Sequence, residues 1–192
     1  MISGIVVYAP SMRKLRFGAY RKDRPRIVRR LDVHNLAGIL LVTMGARQSM
    51  GLFVSPLNTA TGLGIATISL AMAVAQFAWG AIQPLAGAVA DRHGAGPVLV
   101  GALVLLALGS AITPFMDSGL GLVVTIGLMT AMGSGAASFS VLIGAAAQRM
   151  PAEARGTASG VINAGGSFGQ FLFAPILQKL IQTVGWMGAM WG

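Results

Sequence analysis

The residue with the clearest chemical potential in this sequence is Arg47, which stands inside an apolar stretch. The uncharged run LAGILLVTMGA covers Leu36 to Ala46, and MGLFVSPL continues in the same character as far as Leu57. If that stretch crosses a bilayer, the guanidinium lies near the middle of the hydrocarbon, at a cost of about 2.5 to 3.5 kcal/mol on insertion scales. A cation in such a place needs an anion or several hydrogen-bond acceptors.

Three kinds of partner are open for Arg47. None of the predicted membrane segments contains an acid, so a bound anionic substrate is the first candidate. The second is a set of neutral acceptors, either backbone carbonyls of an unwound helix or the amides of Gln and Asn residues. The third is a carboxylate in a second half of the protein, which would form an ion pair that breaks and re-forms during a conformational cycle.

Other polar side chains recur at helical spacing. Ser69, Gln76 and Gln83 are seven residues apart, as are Asn163 and Gln170, so each set shares one face of an α-helix. Such a face forms either interhelical hydrogen bonds, worth about 0.6 kcal/mol each, or the wall of a polar cavity. The first interpretation is favoured for Gln76 and Gln83. The candidate substrate-binding residues are Arg47, Gln48, Asn163 and Gln170.

Small residues mark a predicted helix-packing surface near the end of the sequence. Two GxxxG pairs are formed by Gly156 with Gly160 and by Gly165 with Gly169. Glycines at this spacing let two membrane helices approach closely. We therefore expect these four glycines to pack against a neighbouring helix.

Catalytic and metal-binding chemistry have little support in the sequence. Cysteine is absent, which excludes thiolate metal sites and disulfides. The two histidines, His34 and His93, lie at predicted membrane boundaries, away from any serine and acid set. We expect no enzymatic activity, no cofactor and no metal site.

The composition predicts an integral membrane protein. Hydrophobic residues make up 55% of the 192 residues, only 10% are charged, and the mean hydropathy is +0.74. These values lie outside the usual range for a soluble domain. The 27 glycines suit close helix packing in lipid.

Segments of about 20 apolar residues predict an all-α membrane fold with five spans and the start of a sixth. The expected helices are 36–57, 66–90, 97–116, 120–148 and 157–183, with the sixth beginning in 185–192. Residues 36–192 are thus a transmembrane bundle, and 1–35 a basic cytoplasmic lead. Only seven residues follow Gly185, so we expect the chain to stop partway through a larger architecture.

The charge of +9 is concentrated ahead of the first span. Nine of the 14 basic residues lie between Arg13 and Arg30. A basic run beside a membrane helix fixes orientation and contacts anionic lipid headgroups, whereas no nucleic-acid-reading motif accompanies it. The basic links between helices 2 and 3 and between helices 4 and 5 fall on the same side. The N-terminus is therefore predicted to be cytoplasmic, in a plasma membrane, with the bacterial inner membrane favoured, and no nucleic acid is expected as a partner.

The stretch GAVADRHGAGPV, Gly87 to Val98, resembles the loop signature that follows the second helix in the major facilitator superfamily. The matching residues are Gly87, Asp91, Arg92 and Gly94. The family usually continues with basic residues where this sequence has Ala95 and Gly96. The resemblance implies the N-terminal half of a fold made of two six-helix halves, with this loop holding the halves in one conformation.

Two further stretches resemble the monocarboxylate and oxalate-formate porters within that superfamily. One is RQSMGLFVSPL, from Arg47, and the other is ARGTASGVINAGGSFGQF, from Ala154 to Phe171. The second matches at Arg155, Ala158, Gly160, Ala164, Gly165 and Gly169. A tryptophan often found after the first outer loop of that group is replaced by Leu63. The resemblance implies that Arg47 faces a central cavity and contacts the carboxylate of a substrate.

The expected function is secondary active transport of small organic anions by alternating access, here in an incomplete N-terminal half. One alternative is a truncated or split-gene membrane protein that does not transport and needs a partner half. Another is a facilitator of sugars or drugs, which is disfavoured by the lack of intramembrane acids expected for cation or proton exchange. The expected partners are the lipid bilayer, a small organic anion and a missing C-terminal half.

Overall fold

The computed structural model describes residues 32–148 and 150–191, which form five long helices and no strand. The helices are α1 (Val33–Thr61), α2 (Ile65–His93), α3 (Ala95–Phe115), α4 (Gly119–Ala147) and α5 (Ala152–Trp191). All five are long and apolar enough to cross a membrane, so the predicted all-α fold with five spans is confirmed. Most of the basic lead, residues 1–31, lies outside the described residues.

Helix α1 is not regular throughout. A tighter 3₁₀ stretch, Met50–Phe53, interrupts it just after Arg47. The helix also continues to Thr61, past the predicted end at Leu57, and the hydroxyls of Thr59 and Thr61 donate to carbonyls of the preceding turn at 3.1 and 2.7 Å. Gly62, at φ 65°, then ends the helix, and its N–H donates to Asn58.

A single residue separates α2 from α3. The predicted helices leave residues 91–96 as the link, but Asp91, Arg92 and His93 form the last turn of α2, and only Gly94 lies between the two helices. Gly94 has φ 88° and ψ 149°, a conformation open almost only to glycine. The chain therefore turns sharply at one residue, and the expected link over 91–96 is mostly helical.

Helix α4 lies at the centre of the bundle and is the least regular of the five. Its stretch Val123–Thr130 is a π-helix, wider than an α-helix. Ala137 leaves helical geometry, with φ −103° and ψ 31°, and a new helical segment begins at Phe139. The unbroken helix expected over 120–148 is thus divided. More of its residues are buried than in any other helix.

Helix α5 begins at Ala152, five residues before the predicted start at Thr157. Pro151 stands directly before it, and the Pro151 carbonyl accepts from Ala154 at 3.0 Å, which begins the first turn. Near its other end Gly185, at φ 78° and ψ 167°, breaks the helix. Residues 186–191 form a separate short helical segment, the region expected to open a sixth helix.

Glycines set the distances between helices. A Cβ added to Gly165 would lie 2.5 Å from the carbonyl oxygen of Ala37, and one on Gly169 would overlap the backbone of Leu41. Helices α1 and α5 form the most extensive interhelical packing of the bundle. Gly133 of α4 lies similarly against the backbone of α3. Close backbone approach of this kind stabilises helix pairs in lipid through van der Waals contact.

Two apolar clusters make up the interior. The first includes Leu36 and Leu40 of α1, and the second includes Phe53 and Leu57. Arg47 stands between them along α1. The outer face of α3 is exposed, as a lipid-facing helix should be, with Val100 63% exposed.

Candidate functional site

Arg47 lies at the middle of its helix. It is the fifteenth of the 29 residues of α1, and the fifteenth of the 29 residues of α2 is Trp79. At 1.5 Å per residue, a helix of this length spans about 43 Å, so both residues are about 20 Å from either end. Arg47 and Trp79 therefore lie midway along two helices that are long enough to cross a membrane.

Helix α2 supplies the contacts of the guanidinium. Arg47 Nη2 donates a hydrogen bond to Gln76 Oε1, and Arg47 Cζ lies 4.2 Å from the centre of the Trp79 ring. Gln76 and Trp79 are three residues apart on α2, so their side chains project from one face. The cation is thus held by an amide oxygen and by the negative face of an aromatic ring.

These contacts correspond to the neutral-acceptor alternative for Arg47. Gln76 was interpreted from the sequence as an interhelical hydrogen-bonding residue, and the structure confirms such a bond, with Arg47 as its donor. Trp79 was not identified from the sequence. The available signal was its position three residues after Gln76, on the polar face of α2.

A cavity of about 220 Å³ opens beside Arg47, between α1, α2 and α4. Its walls include both irregular turns, since Met50 and Gly51 belong to the 3₁₀ stretch of α1 and Ile126 and Thr130 to the π stretch of α4. Irregular turns inside a helix often occur at functional sites. The other lining residues are Arg47, Gln48, Met72, Ala75, Gln76, Ala131 and Ser134.

The cavity has a positive wall and a neutral wall. Arg47 supplies the positive charge, and the acids of the described residues all lie at helix ends, namely Asp32, Asp91, Asp117 and Glu153. On α4 the hydroxyl of Thr130 donates to the Thr125 carbonyl at 2.9 Å, and that of Ser134 donates to the Ala131 carbonyl at 3.0 Å. Both hydroxyl protons are therefore engaged within α4, and the cavity is electropositive.

The four predicted substrate-binding residues are only partly brought together. Gln48 is exposed and lines the cavity with Arg47. Asn163 and Gln170 are exposed on α5 and do not line it. The face of α5 that meets α1 is set by Gly165 and Gly169.

The glycines of α5 divide into two groups. Gly165 and Gly169 meet the backbone of α1, whereas a Cβ added to Gly156 or Gly160 would find no atom within 4 Å. The first pair therefore lies inside the helix interface. The second pair lies on an open face, together with the exposed side chain of Asn163.

Towards its C-terminal end, α2 forms two further side-chain hydrogen bonds, one with α4 and one with Gln148, the residue after α4. Gln83 Oε1 accepts from Ser140 Oγ at 3.2 Å, and Ser140 Oγ is 3.0 Å from Ser138 Oγ at the break in α4. Asp91 Oδ1 accepts from Gln148 Nε2 at 3.0 Å. The polar face of α2 thus contacts α1 at mid-membrane and α4 towards its end.

The loop-motif residues surround the turn at the end of α2. Asp91 and Arg92 are exposed in the last turn of α2, and Gly94 adopts the positive φ that the turn requires. No atom lies within 4 Å of a Cβ added to Gly87, so no described helix packs there. Asp91 is at a helix C-terminus, where its carboxylate is held by the side chain of Gln148.

Comparison with known proteins places the chain in a family. A family model described as Major Facilitator Superfamily matches residues 36–192. Monocarboxylate transporter 11 of Mus musculus is 37% identical over 123 residues, which is 64% of this chain and 26% of the relative. The same transporter of Homo sapiens is 34% identical over 122 residues, 64% of this chain and 25% of the relative.

A third relative is Monocarboxylate transporter 13 of Rattus norvegicus, 32% identical over 123 residues, 64% of this chain and 27% of the relative. The matched part of this chain spans about a quarter of the length of each of these relatives. The family match covers α2 to α5 and all but the first three residues of α1, and it agrees with the five apolar spans. The chain is a multi-pass membrane protein that belongs to the Major Facilitator Superfamily.

Proposed function

We propose that this chain forms the anion-binding N-terminal part of a secondary transporter that moves small organic anions by alternating access. The observation that carries the proposal is Arg47, a cation at mid-membrane depth that lines a cavity and contacts only neutral side chains among the described residues. An anion entering this cavity gains a charge-assisted hydrogen bond in a medium of low dielectric constant.

The size of the cavity and the single charge favour a small monocarboxylate. The cavity of about 220 Å³ accommodates a small carboxylate beside Arg47. A guanidinium edge binds a carboxylate through two parallel N–H donors. The relatives named monocarboxylate transporters agree with this choice of substrate class.

The proposed cycle depends on the helices that surround the cavity. Rocking of one half against another around a fixed midplane site is the general mechanism of such folds. The irregular turns in α1 and α4 border the site and are suited to small changes in helix direction. Gly87, Asp91, Arg92 and Gly94 act at the cytoplasmic end as the contact that stabilises one conformation.

A second half is part of the proposal. Asn163 and Gln170 are polar and exposed on α5, and Phe171 beside them is 74% exposed. Polar amides at membrane depth are satisfied by protein partners or by a water-filled cavity, not by lipid. We assign this face to contact with a second half. We also propose that the N-terminus lies in the cytoplasm of a bacterial cell and the bundle in its inner membrane.

The test is equilibrium binding of radiolabelled propanoate to the full chain in lipid nanodiscs. Propanamide, a neutral molecule of the same shape, serves as the control ligand. We expect unlabelled propanoate, but not propanamide, to displace the radiolabelled propanoate. Arg47→Ala should lower the affinity for propanoate by at least about tenfold. Arg47→Lys should also bind weakly, because lysine lacks the planar fork of donors. Unchanged propanoate binding by Arg47→Ala would refute the proposed site.

A further inference from the structure

We infer that Gln76 is a second substrate-binding side chain, whose amide N–H groups donate to the same anion that Arg47 binds. The inference rests on the proposed function, because it assigns a further residue to the same site. Gln76 lines the cavity and is exposed to it, on the helix that faces Arg47. A residue that only joins two helices would need just its amide oxygen, which accepts from Arg47. The amide nitrogen of Gln76 remains available to a ligand.

Arg47 fixes the orientation of the Gln76 amide. A guanidinium can only donate hydrogen bonds, so the atom of Gln76 that faces it must be the oxygen. The nitrogen then points to the other side of the planar amide, where it carries two N–H donors. Among the described residues, the hydrogen bond of Gln76 is the one that its oxygen accepts from Arg47, and its nitrogen donates none. Gln76 therefore presents unused donors beside the guanidinium.

Few other neutral side chains that line the cavity have a free hydrogen-bond donor. The hydroxyl protons of Thr130 and Ser134 are engaged by carbonyls of their own helix. The ring of Trp79 faces the guanidinium, with Arg47 Cζ 4.2 Å from the ring centre. An anion that approaches from the cavity meets the free N–H groups of Arg47 and the amide nitrogen of Gln76 together, with Gln48 at the exposed edge.

Gln83 provides a matched control within the same helix. It is the same residue type, one seven-residue repeat further along the same face, but it does not line the cavity. Its oxygen accepts from Ser140 on α4. A change to Gln83 removes an interhelical hydrogen bond of the same kind and leaves the proposed anion site intact.

The experiment compares Gln76→Met and Gln83→Met, which keep chain length and remove the amide. Propanoate affinity is measured on the full chain in nanodiscs. We expect Gln76→Met to weaken binding by about tenfold or more, the range for hydrogen bonds to a charged group, and Gln83→Met to change it less than about twofold. Gln76→Glu should abolish binding, because its carboxylate accepts from Arg47 and offers no N–H.

A second measurement needs no variant. In ¹⁵N-labelled protein, the side-chain N–H signals of Gln76 should shift as propanoate is titrated, and propanamide should leave them unmoved. Propanoate binding that requires Arg47 but is unaffected by Gln76→Met, with static Gln76 signals, would overturn this inference and leave the proposed function standing. Failure of the wild-type chain to bind propanoate at all would overturn both.

Discussion

The guanidinium of Arg47 stacks over the indole ring of Trp79, with 4.2 Å between the guanidinium carbon and the ring centre. The two residues come from different helices and are each the central residue of their helix. The ring face attracts the cation without neutralising it. Trp79 therefore stabilises Arg47, and under the proposed function the charge remains available to a ligand.

Replacing Trp79 should lower the affinity for propanoate, and more so when the replacement has no aromatic ring. We expect Trp79→Leu to lower propanoate affinity by about fivefold to thirtyfold, equivalent to about 1 to 2 kcal/mol for a desolvated cation–π contact. Trp79→Phe keeps a ring face and should retain most of the affinity. The readout is the same nanodisc binding measurement.

Phe77→Leu is the control for Trp79. Phe77 is two residues away on α2 and 78% exposed, so its ring faces away from the bundle interior. We expect no change in affinity from this variant. Equal binding by Trp79→Leu and Phe77→Leu would contradict the stabilising role of the indole.

A methyl group at Gly169 should separate α1 from α5. We expect Gly169→Ala to lower the free energy of unfolding by about 1 to 3 kcal/mol, because the new Cβ would overlap the backbone of Leu41. The measurement is reversible unfolding by denaturing detergent in mixed micelles. Gly160→Ala, on the open face of the same helix, should be neutral, and similar losses in both variants would argue against this interface.

A side chain at Gly94 should strain the backbone and lower the stability of the fold. Its φ of 88° and ψ of 149° lie in a region almost restricted to glycine, so Gly94→Ala should destabilise the fold by about 1 to 3 kcal/mol. Gly96→Ala is matched to it, since Gly96 is two residues later, inside α3, with free space around it. The thermal midpoint in detergent should fall only for the first variant, and a fall for the second alone would exclude backbone strain as the cause.

The proposed orientation can be tested directly because the chain contains no cysteine. We introduce a single cysteine by Asp117→Cys between α3 and α4, or by Glu153→Cys in the first turn of α5, both exposed positions. A membrane-impermeant maleimide should label the first variant on intact cells and the second only after permeabilisation. The reverse pattern would place the N-terminus outside.

The part of this fold that could be predicted from the sequence is the part that depends on hydrophobicity. The five spans and the central position of Arg47 follow from long apolar runs. The ends of the helices do not, because residues 58–61 and 152–156 are more polar than the spans and yet are helical. The π stretch and the break of α4 have no distinctive residue types, so α4 was expected to be continuous.

Of the candidate site, only the residues contributed by α1 could be predicted from the sequence. Arg47 and Gln48 stand on one helix, and their neighbourhood follows from sequence order. The contact with Gln76 and Trp79 depends on how α2 is rotated against α1, which the spacing of polar residues leaves open. Asn163 and Gln170 share a helical face as predicted, but Gly165 and Gly169 pack against α1 and leave that face exposed and outside the cavity.

The neutral partners of Arg47 have an electrical consequence. Gln76 and Trp79 carry no charge, and the acids of the described residues stand at helix ends, so none of the described residues near the cation cancels its charge. Under the proposed function, the empty site carries one positive charge, whereas the site loaded with a monovalent anion is neutral. Moving one charge through a potential of 100 mV changes the free energy by about 2.3 kcal/mol. The return of the empty site is then the voltage-sensitive step, which favours exchange of one anion for another over net uptake.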